Sequence, residues 1–106
     1  MITEEGNKII AEFENNSFHK AYYTPATMKY HSSWDWLMPV VEKIGRLSNW
    51  NFSFNISQSY PANAVIYDND YKHTSAGKRF YFDSYNSIES VWLAVIEFIN
   101  WYNNNK

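Results

Sequence analysis

The segment after residue 86 leaves the least freedom. Ile88, Val91, Trp92, Val95, Ile99 and Tyr102 recur at helical spacing, with Phe98 on the flank. A broad apolar stripe of this period is a helix that must be covered by something else. Asn86 stands where an N-cap belongs, and Glu89 three residues on completes a capping box. Glu97 and Asn100 face away, Leu93 falls among these polar positions and Trp101 lies beside them. The rest of the chain must supply an apolar surface for this helix.

A second stripe precedes it. Trp34, Leu37, Met38, Val41 and Ile44 share one side, and Asp35, Glu42, Lys43 and Arg46 lie on the other. Ser32 is the expected N-cap, with Asp35 closing a capping-box-like arrangement. Glu42 and Arg46 form an i,i+4 pair. Pro39 inside the helix predicts a kink on the polar face. A shorter helix is expected from Thr3 to about Asn15, with Thr3 as cap, Glu4 and Glu5 in the first turn, and Gly6 weakening it.

Residues 17–31 read as a hairpin. Phe18 to Tyr23 is strand-like in composition, Thr24-Pro25-Ala26-Thr27 is a turn, and Met28 to His31 returns. Residues 52–60 alternate as a half-buried strand that Pro61 ends. Ala64 to Tyr67 and Lys78 to Asp83 make two more strands, separated by a turn at Asp68-Asn69-Asp70 and a loop over 71–77. The order predicts an α+β domain: a small antiparallel sheet of three to five strands packed against two long helices, with a short N-terminal helix. The 106 residues make one domain, 1–106, with a frayed tail at Asn103 to Lys106.

Composition narrows the functions. Nine Lys and Arg against eleven Asp and Glu give a net charge of −2, which argues against a dedicated nucleic-acid binder. With no cysteine there are no disulfides, thiolate zinc sites or cysteine nucleophiles. No apolar run reaches the roughly 18 residues of a membrane span. The acidic Met-Ile-Thr-Glu-Glu start lacks a signal-peptide core, so a cytoplasmic protein with no membrane partner is expected.

Motifs for chemistry are sparse. Asp68-Asn69-Asp70 has oxygen ligands for a divalent cation, but lacks the glycine and distal glutamate of an EF-hand loop and reads as an Asx-type turn. His19, His31 and His73 include no i,i+3 or i,i+4 pair, so they read as ordinary hydrogen-bonded or surface histidines. Ser75-Ala76-Gly77-Lys78 resembles the end of a phosphate loop, yet Lys72 occupies the first glycine position and a strand follows. No G-x-S-x-G occurs. The three N-x-S sequons are by-products of an Asn- and Ser-rich composition. The expectation is a non-enzyme with no cofactor and no metal.

What stands out is the aromatic content, 20%, beside only 19% charged residues. Trp34, Trp92 and the inward phenylalanines are expected in the core. Trp36, Trp50, Trp101, Tyr60, Tyr71 and Tyr85 have no assigned inward position. Exposed aromatics with few charges mark protein-binding hot spots, although a small domain also buries such rings against its own loops. Between Tyr71 and Tyr81, Lys72, His73, Lys78 and Arg79 put positive charge among aromatics. That stretch is either a phosphate-gripping, base-stacking surface or a solvated loop with a polar strand face. The candidate binding residues are Trp36, Trp101, Tyr71, Lys72, Lys78 and Arg79.

The run from Tyr30 to Ile44, Tyr-His-Ser-Ser-Trp-Asp-Trp-Leu-Met-Pro-Val-Val-Glu-Lys-Ile, and the closing run from Ile88 to Asn103 resemble small proteins of phages and prophages. The pattern is also similar to the phage ABA-sandwich domain, a helix–sheet–helix arrangement. The resemblance covers roughly a third of the chain, brings no catalytic residues, and leaves the middle strands unmatched. It implies a mobile-element origin and a protein that binds a host component, as anti-CRISPR proteins do. The function it implies is a non-catalytic inhibitor of a bacterial defence effector, such as an RNA-guided nuclease, that occludes the effector or its guide RNA. The expected partner is a host defence protein or ribonucleoprotein, with RNA contact. Two alternatives stand beside it: a sponge that sequesters a nucleotide signal, and a phage structural or DNA-metabolism accessory protein. The sequence assigns no oligomeric state.

Overall fold

A computed structural model describes residues 3–47, 52–57, 62–68, 79–84 and 86–105. Four helices dominate: α1 Thr3–Glu14, α2 Ser17–Tyr22, α3 Trp34–Gly45 and α4 Ser87–Asn105, of 12, 6, 12 and 19 residues. Three short strands lie between α3 and α4: β1 Phe52–Ser57, β2 Ala62–Asp68 and β3 Arg79–Ser84. They form an antiparallel meander in the order β1-β2-β3. The register sets Phe54 and Phe80 opposite Ile66, and Ile56 and Phe82 opposite Ala64.

The expected architecture is corrected in its balance. The described residues are mostly helical, in four helices, and do not form a sheet of up to five strands dressed with two long helices. The N-terminal helix is as long as α3. Among the described side chains, Ala64 and Ile66 bring the sheet into a core shared with α1, α3, α4 and the turn at Met28 and Tyr30.

The reason lies in α4. Val91, Trp92, Ala94, Val95, Ile96, Phe98 and Ile99 are all buried, which is far more than one stripe. One side of α4 lies on β2 and β3, and α1 and α3 also pack against it. A helix apolar nearly all round needs partners on more than one side. Asn86 caps it as expected, its Oδ1 accepting the Glu89 N–H at 2.8 Å.

The predicted hairpin over 17–31 is replaced by a helix and two turns. Asn15 takes φ 55°, the left-handed conformation Asn tolerates, and stops α1. Asn16 then caps α2, its Oδ1 accepting the His19 N–H at 3.0 Å. The aromatic residues that read as strand formers lie on a helix that a cap specifies, because a local hydrogen bond outweighs a weak β preference. The turn at Thr24–Thr27 does form: Thr27 N–H donates to Thr24 O at 2.9 Å, and Thr27 Oγ1 accepts the Thr24 N–H at 2.9 Å. It leads Met28 and Tyr30 into the core.

Helix α3 begins one residue later than expected, with Ser33 at the cap and no side-chain bond to close it. Its buried residues are Leu37, Val40, Val41 and Ile44. Trp34 is 38% exposed, contrary to its expected core position, because the buried face is rotated toward Val40. Pro39 sits on the exposed side, and α3 remains one continuous helix through it. The ion pair of Arg46 with Glu42 spans 3.6 Å on the surface and adds little.

Candidate functional site

Helix α2 buries none of its six residues, yet it is held firmly. The His19 ring stacks on Trp36 at 3.8 Å with 7° between planes. Tyr23 and Tyr30 meet the same indole edge-on at 4.8 and 5.1 Å. Tyr30 Oη and His19 Nδ1 share a 2.8 Å hydrogen bond. This four-ring clamp joins α2 to α3 and to the Tyr30 turn by stacked and edge-to-face contacts. Above it, Phe18 and Tyr22, one turn apart, stand 60% and 73% exposed with their rings 4.8 Å apart. Lys20, on the other side of the helix, donates to Asn15 Oδ1 at 3.0 Å.

The charges beneath follow from burial. Tyr30 is wholly buried, and desolvation, reinforced by the Glu14 carboxylate, pushes its hydroxyl up to about 12. Desolvation lowers the His19 pKa, so the clamp favours a neutral ring. It raises the Glu14 pKa, against the pull of Lys43 and Arg46, and Glu14 Oε2 is buried without a hydrogen bond. Lys43 Nζ donates to Phe13 O at 2.6 Å and Glu14 O at 3.3 Å, closing the C-terminal end of α1. The same ammonium lies 4.9 Å from the centre of the Phe13 ring.

A second polar centre ties α1 to the rest. Asn7 is fully buried. Its Oδ1 accepts the Trp92 Nε1–H at 3.0 Å, and its Nδ2 donates to Met28 O at 3.1 Å and lies 3.0 Å from His31 Nδ1. Next to it Gly6 meets the Trp92 ring, and a Cβ there would also lie 2.7 Å from Ile96 Cδ1. Only glycine lets α1 approach α4 this closely. An open cleft of about 590 Å³ adjoins the centre, with His31, Ser32, Glu89, Trp92 and Leu93 among its walls.

The residues nominated from sequence fall apart in space or outside the description. Trp36 is half-buried under α2, supporting the exposed rings rather than joining them. Trp101 is half-buried against the core, its ring 6.1 Å from that of Phe98. Tyr71, Lys72 and Lys78 lie outside the described residues, as do His73, Asn69, Asp70 and the loop over 71–77. Arg79 opens β3 opposite Tyr67. Phe18, Tyr22 and Trp34 were missed as exposed rings. The available signal was Asn16 as a helix cap, which sets Phe18 and Tyr22 at i,i+4 on one side.

Chemically the clamp is a mounting. Tyr30 is inaccessible and holds its proton through neutral pH, while His19 lies flat against an indole. No group of three metal-ligating side chains occurs among the described residues. No described helix is long and apolar enough to cross a membrane. No protein-family model, no curated protein and no solved structure matches the chain.

Proposed function

We propose that this chain is a non-catalytic binding protein of phage or prophage origin that inhibits a bacterial defence effector in the host cytoplasm. The observation that carries the binding role is α2. Four aromatic rings fix a helix that buries nothing of its own, and its outer side presents Phe18 and Tyr22 to solvent. Rigid, exposed aromatics held in advance of contact are the anchors protein interfaces use, because little side-chain entropy is lost on docking. The resemblance of the Tyr30–Ile44 and Ile88–Asn103 runs to phage proteins supports the choice of partner: an RNA-guided nuclease, blocked on its protein surface or at its guide RNA. Trp36 serves as the support of the anchor face. Trp101, Tyr71, Lys72, Lys78 and Arg79 are the further contacts to be tested by substitution.

The test is a titration of the purified chain into an RNA-guided, RNA-cleaving nuclease loaded with its guide. Target cleavage is expected to cease near one-to-one stoichiometry, with both proteins eluting together. Replacing Phe18 and Tyr22 together by Ala should weaken inhibition about 30-fold, equivalent to about 2 kcal/mol. Undiminished cleavage with no co-elution overturns the effector reading. Inhibition that survives the double replacement overturns α2 as its face.

A further inference from the structure

We infer that Asn7, His31 and Trp92 form an acid-operated latch, in which protonation of His31 frees the N-terminal half of α1 from α4. Two groups at this centre have no choice of role. An indole Nε1–H only donates, and a backbone carbonyl only accepts. Trp92 Nε1–H therefore fixes the Asn7 oxygen, and Met28 O fixes the Asn7 nitrogen, so the amide cannot be turned over. The remaining hydrogen on Asn7 Nδ2 points to His31 Nδ1 at 3.0 Å, which makes that nitrogen an acceptor. Neutral His31 must then carry its hydrogen on Nε2.

An imidazolium carries hydrogens on both nitrogens. Protonation of His31 thus sets N–H against N–H at a fully buried amide that has no alternative orientation. The Asn7–His31 contact breaks, and the seat that holds Gly6 against Trp92 rests on the two remaining Asn7 bonds alone and is weakened. The other end of α1 stays fastened, because Lys43 grips Phe13 O and Glu14 O independently. Acid therefore opens α1 from its N-terminal half.

Among the described residues, Asn7 is the hydrogen-bond partner of His31. The groups facing His31 from α1 are Asn7 and, along the cleft, Thr3; from α4 they are Trp92 and the Glu89 carboxylate on the cleft wall. Ser32 adjoins it in the chain, and the charged neighbours Lys29 and Asp35 are exposed.

Nuclear magnetic resonance on the full chain decides the matter. At neutral pH the ring-nitrogen spectrum of His31 should show the Nε2–H tautomer, and an Nδ1–H tautomer overturns the latch. The Trp92 indole hydrogen, identified as the resonance missing from Trp92→Phe, then reports opening by solvent exchange. After correction for intrinsic rates, its opening should rise about tenfold between about pH 8 and pH 5, the range in which histidine titrates. In His31→Gln, whose amide oxygen accepts from Asn7 without titrating, opening should stay flat, and in His19→Gln it should still rise. Equal opening at both ends of the range in the unaltered chain overturns the inference even if His31→Gln does not fold.

Discussion

Asn7 shows how far one residue reaches. Its three hydrogen bonds join α1 to a turn 21 and 24 positions ahead and to a helix 85 positions ahead. Replacing it with Leu keeps the volume and strands the Trp92 N–H and the Met28 carbonyl in the core. Each buried orphan costs about 1–3 kcal/mol, so Asn7→Leu should lower the unfolding free energy in urea by about 3 kcal/mol. None of this was legible in the sequence. Asn and Gly in a first turn read as mediocre helix formers, since propensity is local while their reasons for being there lie across the molecule. The same geometry denies His31 a metal: a ligating Nε2 would need its hydrogen on Nδ1, where Asn7 already donates.

At the scale of elements, the longer helices follow the apolar period and α2 defies it. Six residues cannot express a period, and Phe, Tyr and His lean toward strands. What selects the helix is a cap from Asn16 and a stack on Trp36, and only the cap is local. Trp36→Ala should therefore release α2: amide exchange across 17–22 should accelerate by more than tenfold, about 1.4 kcal/mol, while the amides of α4 slow down nowhere and quicken much less. Equal acceleration in both helices would mean that Trp36 supports the whole core instead. The candidate site was likewise only half legible. The sequence pointed to aromatics as anchors, but which ring supports and which is exposed depends on the rotation of α3 and the existence of α2.

For the molecule as a whole, one phenol among the described residues weighs on alkaline stability. Tyr30 titrates near 10 in an unfolded chain and is pushed up to about 12 here. The folded value lies above the unfolded one, so its contribution is complete below about pH 10 and is lost as pH rises through about 12. The unaltered chain should lose melting temperature steeply across that window, and Tyr30→Phe should flatten the decline while starting lower, having lost the bond to His19. The overall balance of helix and sheet was misjudged because sequence patterns reveal single faces. On the second apolar side of α4 only Phe98 read as a flank, while Ala94 and Ile96 had no assigned place until the neighbours were in place.

That doubly covered α4 also sets an order of events. It follows every element it joins, so α1, α3 and the sheet leave the ribosome with no common partner. Until residues 87–105 emerge, α1, α3 and the sheet are half-surfaces, and α4 acts as the keystone that joins them. Until then those elements stay open to chaperones and proteases, and their docking waits on α4.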